Sequence, residues 1–167
     1  MTRSDEDWLQ EAVELSTLCP VSQTAYAVGA ILVTDGGTEL SRGYSRETDS
    51  LVHAEEALLG KLPRRWTDLR QTTMYSSLEP CSIRRSRPFP CAQLILDAGV
   101  PRVVFALREP HLLANCRGAE MLVQAGVEVR EIHSFGPLVR QANSHLIGSE
   151  ARRTPPAGTA RSNVDTA

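Results

Sequence analysis

The sequence predicts a single α/β domain. A hairpin pattern near the N-terminus gives way to strand and helix patterns that alternate over residues 72–132, and 167 residues fit one compact unit. Apolar residues at 41% and charged residues at 23% are ordinary globular usage, enough to bury a sizeable core. The folded domain is expected over residues 1–147.

The first helix is expected over residues 5–18, where Trp8, Leu9, Ala12, Val13, Leu15 and Leu18 recur near helical spacing behind Ser4 or Asp5 as N-cap. Residues 27–34, rich in Val, Ile and Ala, run into Asp35-Gly36-Gly37 and a second extended stretch over 38–44, which reads as a β-hairpin. An Ala/Glu/Leu-rich helix follows over 53–62. Pro63 closes it, so His53 stands at its start. A short strand is expected over 72–78, a helix over 92–98 stopped by Gly99, and a very apolar strand over 102–107. A helix over 118–125 with Gly126 at its end, a strand over 127–132 and a last helix over 135–147 complete the pattern. Alternation of this kind predicts parallel strands with helical crossovers. Residues 148–167 are polar and proline-containing, a composition too poor in apolar surface to order itself.

Charge and cysteine usage narrow the function classes. A formal charge of −2 provides no global basic field for a phosphate backbone, so a small substrate is expected rather than nucleic acid. No run approaches the roughly 18–20 apolar residues that span a bilayer. The polar start of the chain does not read as a secretory signal, so a cytoplasmic location is expected. There Cys19, Cys81, Cys91 and Cys116 should be reduced thiols, in the core or on a metal.

Spacing separates these cysteines. His53 and Glu55 stand two apart at a helix start; Pro80-Cys81 follows an expected strand, and Cys91 opens the next helix. Two thiolates and one imidazole suit a tetrahedral Zn²⁺ whose fourth position stays open for water, which is a catalytic rather than a structural site. Such a metal lowers the pKa of its water toward about 7. Glu55 is placed to take that proton and hand it to a heterocycle nitrogen and a leaving amine. The dipole of the helix that Cys91 opens is expected to stabilise the Cys91 thiolate. Cys19 and Cys116, neither closely paired with Cys81 or Cys91, read as core residues.

On these residues the sequence resembles the cytidine deaminase-like superfamily, and within it the riboflavin-pathway pyrimidine deaminases. The likeness runs over about residues 8–132 and rests on Val28-Gly29-Ala30, His53-Ala54-Glu55, Ser77-Leu78-Glu79-Pro80-Cys81-Ser82, Pro90-Cys91, 97–104, Glu109-Pro110, Arg117-Gly118 and 125–129. It implies a three-layer α/β/α sandwich around a five-stranded mixed sheet, Zn²⁺ on His53, Cys81 and Cys91, Glu55 as proton shuttle, and a homodimer or higher homo-oligomer. Ala54, Ser77 and Tyr26, the last able to stack on a heterocycle, fall on the substrate side.

The two cysteines have nine residues between them. Superfamily members acting on nucleosides and polynucleotides typically have two, and the riboflavin-type branch about eight. That loop carries Arg84, Arg85 and Arg87, guanidinium groups suited to a substrate phosphate. The branch usually places a histidine shortly after the first cysteine and an asparagine just before Val-Gly-Ala; here Ile83 and Ala25-Tyr26 stand there. The expected activity is hydrolytic removal of an exocyclic amino group from a pyrimidine-type heterocycle, including the phosphoribosylated diaminopyrimidine of riboflavin synthesis. The alternatives are a cytidine, deoxycytidylate or free-base deaminase, a deaminase of secondary metabolism, and an inactive zinc-binding scaffold.

Overall fold

The computed structural model describes residues 3–63, 68–110 and 116–150. Helix α1 (Asp5–Leu15) starts at a reciprocal cap in which Ser4 Oγ accepts the Asp7 N–H at 3.2 Å and Asp7 Oδ2 accepts the Ser4 N–H at 2.8 Å. It ends three residues before the expected limit, because Ser16–Leu18 tightens into a 3-10 turn. Strands β1 (Gly29–Thr34) and β2 (Glu39–Tyr44) form the expected hairpin. Helix α2 (Ala54–Gly60) follows, with His53 as its N-cap. Then come β3 (Thr72–Ser76), α3 (Cys91–Ala98), β4 (Arg102–Phe105), α4 (Gly118–Gln124) and β5 (Glu128–Glu131). Gly99, at φ +74°, stops α3 as the sequence predicts.

The strands make one mixed sheet in the order β2-β1-β3-β4-β5, antiparallel on the hairpin side and parallel from β3 to β5. Ala30 pairs with Gly43 and Gly29 with Tyr44. The Ala54 carbonyl of α2 lies over Gly43, and the Ala12 carbonyl of α1 lies over Gly29. Successive residues of a strand face opposite ways, so α1 and α2 cover opposite faces. Helices α3 and α4 stand beside α2 in turn, which completes the three layers. Val103, Val104 and Phe105 of β4 are fully buried between them, as expected of an inner parallel strand.

Two expectations need correction. The strand expected from residue 27 begins at Gly29. The single helix expected over 135–147 is two, α5 (Gly136–Ala142) and α6 (Ser144–Glu150), broken at Asn143. Both have one cause. The Asn143 side chain is buried against Ala27, accepting the Ala27 N–H at 2.7 Å and donating to the Ala27 carbonyl at 3.1 Å. An amide side chain thus takes the place of a neighbouring strand. Helix α6 runs past the Gly148 boundary to Glu150, and the expectation for the segment beyond it lies outside the described residues. Among the described residues no helix is long and apolar enough to cross a membrane.

Candidate active site

The parallel strands β3 and β4 end on the same edge of the sheet, where the antiparallel β1 begins. Ligands in open α/β sheets gather at that carboxyl edge. Ser76 and Ser77, at the end of β3, are fully buried. Ser76 Oγ donates to Glu55 Oε1 at 2.9 Å. Ser77 ties β3 to the start of β1, its N–H donating to the Gly29 carbonyl (2.9 Å) and its Oγ accepting the Gly29 N–H (3.1 Å).

Beyond Ser77 the chain turns through Glu79-Pro80 into Cys81. Glu79 is buried and holds that turn in place. Its carboxylate accepts the N–H groups of Ala119 (2.9 Å) and Glu109 (3.1 Å), while its own N–H donates to the Leu107 carbonyl (2.8 Å). Helix α4 closes on the same turn, with the Arg117 N–H donating to Ser82 Oγ at 2.9 Å.

Three side chains then converge. His53 Nδ1 lies 3.4 Å from Cys91 Sγ and 3.6 Å from Cys81 Sγ, and the three donor atoms are all within 4.8 Å of one another. A tetrahedral zinc about 2.3 Å from sulfur and about 2.1 Å from nitrogen sets its S···N edges at about 3.6 Å. The donor set and its spacing fit that ion. Glu55 is not one of the converging donors.

The electrostatics correct one expectation. Cys91 opens α3, but its backbone N–H donates to Cys81 Sγ at 3.2 Å, so the N-terminal end of the helix acts on the partner sulfur. A hydrogen bond from the Cys91 thiol leads the effects that draw the Cys81 pKa down to about 4, with His53 and then that backbone N–H adding to it. Cys91, fully buried beside that thiolate, is pushed up. Burial, reinforced by the Cys81 charge, also pushes the Glu55 carboxyl up.

The residues expected on the substrate side are distributed unevenly. Ala54 is fully buried at the first position of α2. Tyr26 is buried too, and its hydroxyl donates to the Pro110 carbonyl at 3.2 Å, which joins the segment before β1 to the one after β4. Arg84 pairs with Glu56 at 2.8 Å, and Arg87 pairs with Asp49 at 2.7 Å. Arg85 is exposed and has no ion pair among the described residues. Ile83 and Phe89 are exposed on the same loop. Cys19 donates to the Val28 carbonyl (3.3 Å), while Cys116 is buried beside Pro80 and packs with Cys81 and Cys91, yet neither is among the three converging donors.

Sequence reasoning missed Glu79 and Glu109. Both stand in the motifs that carry the resemblance, but only the folded contacts give them roles. Glu109 is half-buried near Cys116, Cys81 and His53, and burial pushes its carboxyl up to about 7.

An open His/Cys/Cys site with a buried carboxylate on the neighbouring helix defines a class, the zinc-dependent hydrolases in which one acid moves the protons. Comparison with known proteins narrows it. Residues 2–107 match the family described as the cytidine and deoxycytidylate deaminase zinc-binding region, and the chain belongs to that family. It is 35% identical over 132 residues to the diaminohydroxyphosphoribosylamino-pyrimidine deaminase of Schizosaccharomyces pombe, an alignment covering 78% of this chain and 32% of that protein. Its fold is similar to that of the Aspergillus oryzae Rib2 deaminase in complex with DARIPP (TM-score 0.76, 25% identity, 88% of this chain and 94% of that one). It is also similar to the Thermotoga maritima diaminohydroxyphosphoribosylaminopyrimidine deaminase/5-amino-6-(5-phosphoribosylamino)uracil reductase (TM-score 0.71, 26% identity, 87% of this chain and 42% of that one). The chain spans about a third of the length of the curated relatives it matches.

Proposed function

We propose that this chain catalyses hydrolytic deamination of a phosphorylated aminopyrimidine, and that its substrate is the diaminopyrimidine ribosyl phosphate of riboflavin synthesis. The observation that carries the reaction type is Glu55, a buried carboxylate hydrogen-bonded to Ser76 beside three convergent zinc donors that leave a fourth position free. His53, Cys81 and Cys91 would hold the ion, which when bound supplies a water acidic enough to act as nucleophile near neutral pH.

The rest is proton movement by Glu55. Its carboxylate takes a proton from the attacking water and passes it to the ring nitrogen next to the amino-bearing carbon. A second proton passes the same way to the amino group, the C–N bond breaks, and ammonia leaves while a carbonyl forms in its place. A raised Glu55 pKa suits this exchange, because a carboxyl poised nearer neutrality both accepts and returns a proton readily. The substrate assignment is supported by the relatives above and by the loop between the cysteines. There Arg85, exposed and without a carboxylate partner among the described residues, is the guanidinium available to a phosphate. Ala54, Ser77 and Tyr26 shape the buried wall behind the ring.

Reduced thiols on a metal suit the cytoplasm, where the protein is proposed to work as a homodimer or higher homo-oligomer. Incubation of the zinc-loaded protein with the diaminopyrimidine ribosyl phosphate, DARIPP, cytosine, cytidine and dCMP, with ammonia as the readout, tests the function. Release from a diaminopyrimidine phosphate is expected. Release from cytidine or dCMP alone would reassign the substrate, and release from none of the five would overturn the activity.

A further inference from the structure

The loop between the two cysteine ligands is stitched to the helix that carries the histidine ligand. Arg84 Nη2 meets Glu56 Oε2 at 2.8 Å and also donates to the Leu51 carbonyl, while Arg84 Nε donates to Ser86 Oγ at 3.1 Å. The Arg84 side chain is only 2% exposed. Glu56 in turn accepts the backbone N–H of His53 at 3.4 Å on the same Oε2, and its Oε1 forms an ion pair with Arg87 Nε at 3.4 Å. Arg87 closes the circuit on Asp49, whose other carboxylate oxygen accepts the Leu51 N–H at 2.8 Å. One carboxylate therefore touches the backbone of one zinc ligand and two arginines from the segment joining the other two.

We propose that Glu56 and Arg84 form a clasp that presets the zinc site, making Arg84 a positioning residue for the metal ligands rather than a contact for the substrate. The inference rests on the zinc reading given above and goes beyond it by dividing the arginine cluster. A guanidinium this deeply buried is tolerated because its charge is paired, and drawing it toward a substrate phosphate would cost Glu56 its closer partner, leaving only Arg87 at 3.4 Å. The long loop explains why a clasp is needed. Nine residues separate Cys81 from Cys91, so backbone connectivity alone does little to fix the two sulfurs relative to each other. The clasp removes that freedom before the ion arrives, as partners of metal ligands do elsewhere. Of the three Arg84 nitrogens, Nη1 is the one buried without a hydrogen-bond partner among the described residues, and it is the atom through which a substrate anion would have to engage this residue.

Zinc affinity is the direct readout. Purified apo-protein is titrated with zinc in competition with a metallochromic chelator, comparing wild type with Glu56→Gln, Arg84→Met and the double variant. Each single variant should bind zinc about 10–100-fold more weakly. The double should be no worse than the more severe single, because the two residues act as one unit, and excess zinc should restore turnover lost at limiting zinc. Affinities within about twofold of wild type would overturn the clasp. So would an Arg84→Met protein with unchanged zinc affinity and a raised KM confined to phosphorylated substrates, which would make Arg84 a substrate ligand. If Arg84→Met does not fold, Glu56→Gln decides the matter alone, since Glu56 is 27% exposed and the change is isosteric. A wild-type protein that binds zinc but deaminates nothing would leave this test intact, whereas one that fails to bind zinc would remove the zinc reading itself.

Discussion

Glu55 accepts from Ser76 Oγ at 2.9 Å, and its own backbone N–H and the Cys91 thiol also bond to it, yet burial and the Cys81 charge outweigh these and push its carboxyl up. A buried acid whose carboxyl is pushed up by burial is well suited to proton exchange. Replacing it with glutamine keeps the shape and removes the exchange. Glu55→Gln is expected to retain zinc at the wild-type stoichiometry, measured by metal analysis, and to lower kcat by at least about 10²–10⁴-fold. Wild-type turnover in this variant would show that another group carries the proton. The two cysteines make a related point about where a helix N-terminus acts. Cys91 occupies the first position of α3, but the N–H that α3 projects meets Cys81, where it adds to the larger effect of the Cys91 thiol in drawing the Cys81 pKa down. Sequence position alone does not show that the first N–H of α3 meets the Cys81 sulfur.

The break between α5 and α6 shows how an element's limits can be set from far along the chain. The apolar pattern over 135–147 continues through Asn143 without a breaker, so local reasoning runs one helix through it. In the fold the Asn143 side chain gives both its acceptor and a donor to Ala27, and donates to the Val139 carbonyl at 3.0 Å as well. Ala27 is itself buried, and without Asn143 its N–H and C=O would have no partner. Asn143→Ala should therefore cost about 3 kcal/mol of unfolding free energy in urea, as two buried backbone groups lose their bonds. A loss below about 1 kcal/mol would mean that water or a backbone shift replaces the amide. The rest of the fold was readable where hydrophobic periodicity and punctuation agree: the hairpin at Asp35-Gly36-Gly37, the stop at Gly99, and His53 at the head of α2. The metal donors were readable because their chemistry needs particular residue types at particular places. The arginines were readable only as a cluster. Which of them is paired depends on Asp49 and Glu56, and pairing across distant segments leaves no periodic trace.

For the molecule as a whole, the sheet separates chemistry from support. The helices that carry the zinc donors, α2 and α3, lie on one face, and on the other the start of α1 is anchored by Asp5. That carboxylate accepts from Tyr75 Oη (2.8 Å), from both terminal nitrogens of Arg102 (2.9 and 2.7 Å) and from Arg130 (2.5 Å), so one residue of α1 holds β3, β4 and β5 together. Hydrogen bonding from Arg102 leads the effects that hold the Asp5 carboxyl well below the usual carboxylate range. A carboxyl whose pKa falls on folding stabilises the native state at pH values above its unfolded pKa of about 3.9, and that contribution fades as pH drops below it. Asp5→Asn should accordingly lose about 1–2 kcal/mol at pH 7, a figure already reduced for solvent screening of partly exposed partners. The gap from wild type should narrow progressively as pH falls below about 4. Thermal unfolding of both proteins from pH 7 to pH 3 reads this directly, and a gap independent of pH would show that Asp5 acts through shape rather than charge. Because the anchor lies across the sheet from the ligands, the same variant should bind zinc with wild-type affinity. A weakened zinc site in Asp5→Asn would mean that the two faces are mechanically coupled through the sheet.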